Sequence, residues 1–204
     1  MPNLISSAIA NLSAPETAVR IAAASEIYRQ GRGSADRAIF HWWQDTELFG
    51  LLLGPQPIVI VGLAVKRETF ARIHAANAAP VLAEVPPDQD ALEFELNFAE
   101  GFALDVLTTK DPAGQGAIAR YLTKFGEGVQ QVEFGCLNVN RAASILRERF
   151  GVEAIYSEAR AGAGGSKINF FLVPIADAGA EISKVLIELF QLPSVPPSPP
   201  STND

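Results

Sequence analysis

Apolar positions recur along this chain with two different spacings. Residues 13–33, SAPETAVRIAAASEIYRQGRG, place Val19, Ile21, Ala22, Ile27 and Tyr28 at helical intervals. A capping Ser13 and a first turn holding Pro15 and Glu16 precede them, and Gly31 and Gly33 follow as stops, so the pattern predicts one helix. Two shorter helices are expected from SADRAIFHWW and DTELFGLLLG. From residue 57 the spacing changes. IVIVGLAVKRETFARIHAAN is an apolar run, a charged break and a helix, and VQQVEFGCLNVNRAASILRERF repeats that layout about 71 residues later. Alternating segments follow each copy: PVLAEV, ALEFELNF and GFALDVLTT in the first half, VEAIYSEA, SKINFFLVP and SKVLIELFQL in the second. Each half therefore reads β-α-β-β-β. Two such units side by side put their helices outside and share a cleft inside a cupped mixed sheet, an α+β fold.

These patterns divide the chain into a helical N-terminal segment (1–53), a duplicated domain (54–192, modules about 57–110 and 128–191) and a Pro/Ser-rich tail (193–204) expected to be disordered or extended. The adjacent Trp42 and Trp43 cannot share a helical face. Core packing accounts for them, with a protein partner for the N-terminal helices as the alternative. Of the 204 residues 48% are hydrophobic and 19% charged, enough to bury a core. A net charge of −7 argues against nucleic acid and anionic membrane surfaces as partners. The single Cys136 allows no disulfide within the chain and reads as buried filling in a reducing compartment. With no signal-like N-terminus and no long apolar run, a cytoplasmic location is expected.

Strand alternation selects the cleft residues. Asp105 is the polar position of the apolar run LDVL, and Glu188 holds the corresponding place in LIELF. Superposing the opening strands sets Ile60 over Gln131, so the repeat relates Ile60, Asp105, Gln131 and Glu188. A carboxylate among apolar neighbours is costly without a partner, and two could share a cation, a proton or a hydrogen-bond network. Alternation also turns Glu133 to the same face as Gln131, and Gln130 to the other.

The segments GAIARYLTKFGEGVQQVEF, LRERFGVEAIYSEARAGAGGSKINFFLVP and KVLIELFQ, in this order and spacing, resemble the vicinal oxygen chelate superfamily and in particular methylmalonyl-CoA epimerase, over roughly residues 57 to 191. The resemblance implies a cupped sheet around a divalent metal held from the first and last strands of each module. Carried over by position, the metal ligands are Asp105, Gln131 and Glu188, with Gln131 and Ile60 standing where relatives have histidines. Glu93, in PPDQDALEFEL, corresponds to a catalytic glutamate, with Glu188 as the partner acid. Without imidazoles, an oxygen set suits magnesium, manganese or calcium better than zinc, nickel or cobalt, and the metal could be absent. An iron-dependent ring-cleaving dioxygenase is disfavoured, because it needs two histidines in the cleft.

Two functions follow from the resemblance. One is a metal-assisted epimerase or isomerase that abstracts a proton beside a carbonyl of a small acyl-CoA or oxo acid. The other is a catalytically inactive, metal-free module on the same fold that binds a small molecule or a protein; a homodimer is left open. Bland readings stand beside the sharp ones: Glu93, Glu95 and Asn97 form a wet strand face, Arg120 and Lys124 a solvated helix face, and Lys167 and Asn169 follow an ordinary glycine loop. His41 and His74 fall on helices away from the cleft.

Overall fold

A computed structural model describes residues 4–175 and 183–193. The tail from residue 194 lies outside the described residues. Helices α1 (Leu4–Asn11), α2 (Thr17–Ala38) and α3 (Thr46–Leu51), with a 3-10 turn at Phe40–Gln44, precede the sheet. The first module then runs β1 (Val59–Ala64), α4 (Arg67–Ala76), β2 (Leu92–Ala99) and β3 (Phe102–Thr108). Helix α5 (Ala117–Phe125) links it to the second, which holds β4 (Gly128–Gly135), α6 (Val139–Phe150), β5 (Arg160–Ala161), β6 (Lys167–Ile175) and β7 (Ser183–Gln191).

All seven strands make one mixed sheet in the order β2-β3-β1-β4-β7-β6-β5. Within each module the first strand pairs parallel with the last, β1 with β3 and β4 with β7, and the modules join through the antiparallel β1–β4 pair. The duplicated cupped sheet is thus the one expected. Two of its strands are not. PVLAEV forms no strand, contributing a single sheet-like bond from Ala83 N–H to the Glu93 carbonyl at 3.0 Å. VEAIYSEA is reduced to one bridge, Ala154 to Phe171. Prolines 80, 86 and 87 around the first segment withhold backbone donors, which leaves it unable to extend a ladder.

The helical segment departs further from the reading. Helix α2 does not stop at Gly31 or Gly33 but continues to Ala38, burying Ile27, Tyr28, Gly31 and Ala35. Gly31 is a point of close approach: a Cβ there would stand 2.6 Å from Val61 Cγ1 and 3.2 Å from Val129 Cγ1. The glycine therefore lets the helix lie on the β1–β4 seam. Ser13 caps nothing in α2; its hydroxyl donates to the Ala10 carbonyl at the end of α1 (3.0 Å). Asp45 does cap α3, accepting from the Glu47 and Leu48 N–H groups at 3.1 and 2.9 Å. Trp42 is buried edge-on to Phe171, and Trp43 packs on Phe49 and Phe134. Both indoles belong to the core, which runs without a break from Ile9 and Leu12 through the sheet to Ile145 and Leu189. Among the described residues no helix is long and apolar enough to cross a membrane.

Asn169 shows how a single polar residue shapes one wall. Almost fully buried, it donates to the Tyr156 carbonyl (2.9 Å) and accepts from the Tyr156 and Phe170 N–H groups. It thereby pins the strandless segment 151–159 to β6, a role more specific than a residue following a glycine loop. Asn169→Leu is expected to lower stability by about 2–3 kcal/mol, since it strands the Tyr156 backbone groups. Hydrogen exchange at the Tyr156 amide, accelerated well beyond the neighbouring β6 amides, is the check.

Candidate functional site

The concave side of the sheet holds an open cavity of about 910 Å³. Its floor is set by strand register. Gly62 stands opposite both Asp105 of β3 and Gln131 of β4, Ile60 stands opposite Glu133, and Glu133 is level with Glu188 of β7. Glu95 lies opposite Asp105, and Glu93 two residues before it on the same face of β2. The floor thus carries five carboxyl groups, Glu93, Glu95, Asp105, Glu133 and Glu188, with Ile60 and Gln131 between them. Ile168, Phe170 and Phe190 continue the lining beside Glu188, with Phe170 directly across the β6–β7 ladder from it, and Arg120 and Arg160 also reach the cavity.

Gln131 organises this floor. Its side-chain amide donates to Glu188 Oε2 at 2.7 Å and to Glu133 Oε1 at 3.1 Å, and all three residues are buried. Both N–H bonds of the amide are then used.

Burial leaves the acids reluctant to ionise. It pushes Glu133 up to about 8, against the Gln131 hydrogen bond and with help from the Glu93 and Glu95 charges. Asp105 is held well above the usual carboxylate range by burial and then by Glu133, Glu93, Glu188 and Glu95. Glu188 is raised well above it by burial, then by Glu133 and Glu93. Burial also raises Glu93.

Strand alternation failed at one position. Gln130 does not point away from the cleft but lines it. The β1–β4 register slips between Gly62 and Leu63, Gln131 pairing with Gly62 and Val129 with Leu63, so Gln130 is the extra residue of a β-bulge. A bulge sets two residues against one and turns both glutamines to the same side. Tyr121 supports it by donating its hydroxyl to the Val129 carbonyl at 2.7 Å. The Oε1 of Gln130 is buried without a hydrogen-bond partner among the described residues. No local sequence signal marks this slip, which is set by the register of β4 against β1. Glu95 lines the cavity beside Asp105 while staying exposed, as expected of a wet strand face.

The remaining candidates fall outside the chemistry. His41 is exposed on the 3-10 turn, and His74 on α4 stacks on Phe70 with its Nε2 2.8 Å from the Pro80 carbonyl oxygen. Neither lines the cavity. Burial pushes the Cys136 thiol up to about 11, so it is not a nucleophile at neutral pH. Arg120 reaches the cavity, where it bonds the Gln115 carbonyl, and Lys124 lies over Phe125.

Asp105, Gln131 and Glu188, expected as metal ligands, do face one cavity, but they do not fit a divalent ion as they stand. Gln131 presents N–H bonds to the acids rather than an oxygen to a cation, and Ile60, its counterpart in the repeat, offers no donor atom. Among the described residues no three of His, Cys, Asp and Glu converge into a group that could hold a metal. A preference among magnesium, manganese and calcium therefore has no support in this geometry.

No protein-family model matches the chain, and no curated protein matches it. Solved structures do. It is similar to methylmalonyl-CoA epimerase from Mycobacterium tuberculosis, with 30% identity, 65% of this chain and 85% of that one covered, and a TM-score of 0.50. A methylmalonyl-CoA epimerase in complex with methylmalonyl-CoA and ammonium shares 25% identity over 69% of this chain and 96% of that one, with a TM-score of 0.52. A variant of the Streptomyces coelicolor epimerase, in complex with 2-nitronate-propionyl-CoA, shares 25% over 67% and 96%, with a TM-score of 0.50. The duplicated sheet, its paired parallel strands and the identity to a relative covered over most of its length agree, and the chain belongs to the vicinal oxygen chelate superfamily.

Proposed function

We propose that the cleft binds a small acyl thioester or oxo compound and moves a proton beside its carbonyl, as an epimerase or isomerase that works through carboxyl groups alone. The observation that carries this reading is the meeting in one cavity of three acids that burial holds above the usual carboxylate range, Asp105, Glu133 and Glu188, with the less perturbed Glu93. Acid–base chemistry at neutral pH needs two such populations, one to take a proton and one to give it.

Glu93 is the base. It breaks the C–H bond next to the carbonyl and takes the proton, and the electron pair left behind moves onto the carbonyl oxygen. A protonated Asp105 or Glu133 donates a hydrogen bond to that oxygen and stabilises the enolate as its charge grows. Glu188, protonated and on the far side of the floor, returns a proton to carbon and so inverts or shifts the centre. Proton exchange among the acids restores the starting state, and nothing is oxidised or reduced. The likeness to structures that hold methylmalonyl-CoA or 2-nitronate-propionyl-CoA supports an acyl-CoA as the first substrate to try.

Solvent deuterium incorporation into a 2-methylacyl-CoA, followed by mass spectrometry, tests the reading. Wild-type protein should exchange the proton, and Glu93→Gln should slow exchange by about 100-fold or more. The second reading, a binding module without catalysis, is favoured by the hydrogen bonds that tie Gln131 to Glu133 and Glu188. Binding of the acyl-CoA with no exchange in wild type would select it.

A further inference from the structure

The floor of the cleft has a geometry that neither function explains. The repeat relates Ile60 to Gln131 and Gly62 to Glu133, while the β1–β4 ladder sets Gly62 opposite Gln131 and Ile60 opposite Glu133. The polar pair on β4 therefore faces, across the seam, a pair that offers no polar side chain. Gln131 uses that gap. A Cβ on residue 62 would stand 2.5 Å from Gln131 Cγ and 3.3 Å from its Cδ, so the glutamine side chain occupies the space that a residue-62 side chain would fill. Lying there, it carries its amide nitrogen between Glu133 and Glu188.

We infer that the Gln131 amide, seated on the bare backbone of Gly62, is a built-in replacement for a cation: its two N–H bonds hold together the acids that a divalent ion would otherwise bridge, and the site takes no divalent metal. Three features of the chain support it. Admitting an ion would require the amide to turn its oxygen inward, which breaks both of its hydrogen bonds to the acids at once. The twofold-related position is the hydrocarbon of Ile60, so turning the amide gains an ion no ligand from β1. And Gly62 is what makes the seat, since any larger residue displaces Gln131. Gln131 is thus a positioning residue for Glu133 and Glu188, and Gly62 positions Gln131. The inference holds whichever reaction the cleft runs, or none.

Metal binding by the full chain tests it without reference to activity. Calorimetric titration of wild type with magnesium, manganese, calcium, zinc and cobalt(II) should give no saturable heat at millimolar ion. Ile60→His combined with Gln131→His replaces the amide and the hydrocarbon with imidazoles flanked by Asp105 and Glu188. This variant should bind zinc or cobalt(II) about 100-fold or more tightly than wild type, with the visible absorption of ligated cobalt. One equivalent of any divalent ion bound by wild type, and weakened by Glu188→Gln, would overturn the inference. So would a folded double variant that still takes no metal, because the amide would then not stand in an ion's place. Should the double variant not fold, the side-chain amide signals of Gln131 in wild type decide. They should stay sharp in millimolar manganese(II), and selective broadening would overturn the inference.

Discussion

A chain beginning at Gly54 is expected not to fold, although it retains both modules and every residue of the cleft. The pattern along the chain separates residues 1–53 from the duplicated part, but the core does not. Ile27, Tyr28, Ile39, Trp42, Leu48 and Leu52 are buried in the same cluster as the sheet. Burial of six such side chains is worth on the order of 10 kcal/mol, comparable to the whole stability of a typical domain. Deletion also removes the entropy cost of ordering the segment, which offsets part of that loss. It does nothing for the face left behind. Val61, Val129, Phe134 and Phe171, which meet Gly31, Trp42 and Trp43, would become one exposed apolar patch. The truncated protein should aggregate or show no cooperative thermal transition by circular dichroism; a sharp transition near that of the full chain would mean the segment is a dispensable appendage. Gly31→Leu is a milder form of the same test. Overpacking against Val61 and Val129 should cost about 1–3 kcal/mol.

Stability should fall as pH rises from about 5 to 8, opposite to the trend that paired surface carboxylates produce. Glu133 has a folded value near 8 against a reference of 4.5, and Asp105 and Glu188 are raised in the same direction. Below about pH 4.5 the folded and unfolded states both hold these protons, and the stability they allow is fully present. Between 4.5 and 8 the unfolded chain releases a proton that folded Glu133 retains. The folded state then binds more protons, and stability drops by about 1.4 kcal/mol per pH unit for each group in that condition. Above 8, folded Glu133 ionises as well and its share of the loss is complete. At the acid end the sign reverses. Asp45 is lowered by its hydrogen bond from Leu48 and by Arg149, and Glu47 by Arg141 and Arg149, so their contribution is present above their unfolded values and lost as pH falls through the lowered ones. Urea midpoints should therefore peak near pH 5. Glu133→Gln should flatten the descending side and stabilise the protein at pH 8. A curve flat or rising from pH 5 to 8 in wild type would show that the cleft acids ionise in the folded protein as they do in water.

Much of the cleft was legible before any coordinate. A lone acid in an apolar strand has few places to go, so Asp105 and Glu188 were marked as inward by their neighbours alone. Both do line the cavity, as do Glu93, Gln131 and Glu133. Gln130 was misplaced because alternation assumes an unbroken ladder, and the slip beside Gly62 depends on a partner strand about 70 residues away in the chain. The stops assigned to Gly31 and Gly33 failed for a related reason. Glycine ends a helix when nothing else holds the backbone, but α2 is held by its bed on β1 and β4.

What the sequence by itself determined is the set of repeating local preferences: two copies of a strand–helix–strand pattern, their cupped sheet, and which acids face inward. These depend on spacings of two and of three to four residues, which neighbouring positions encode. What only the tertiary structure decided is which inward groups touch. Gln131 reaches Glu133 and Glu188 because Gly62 on another strand leaves it room, and the acids are harder to ionise because the fold withdraws them from water. Contact and desolvation are properties of elements brought together from distant parts of the chain, and no local spacing carries them.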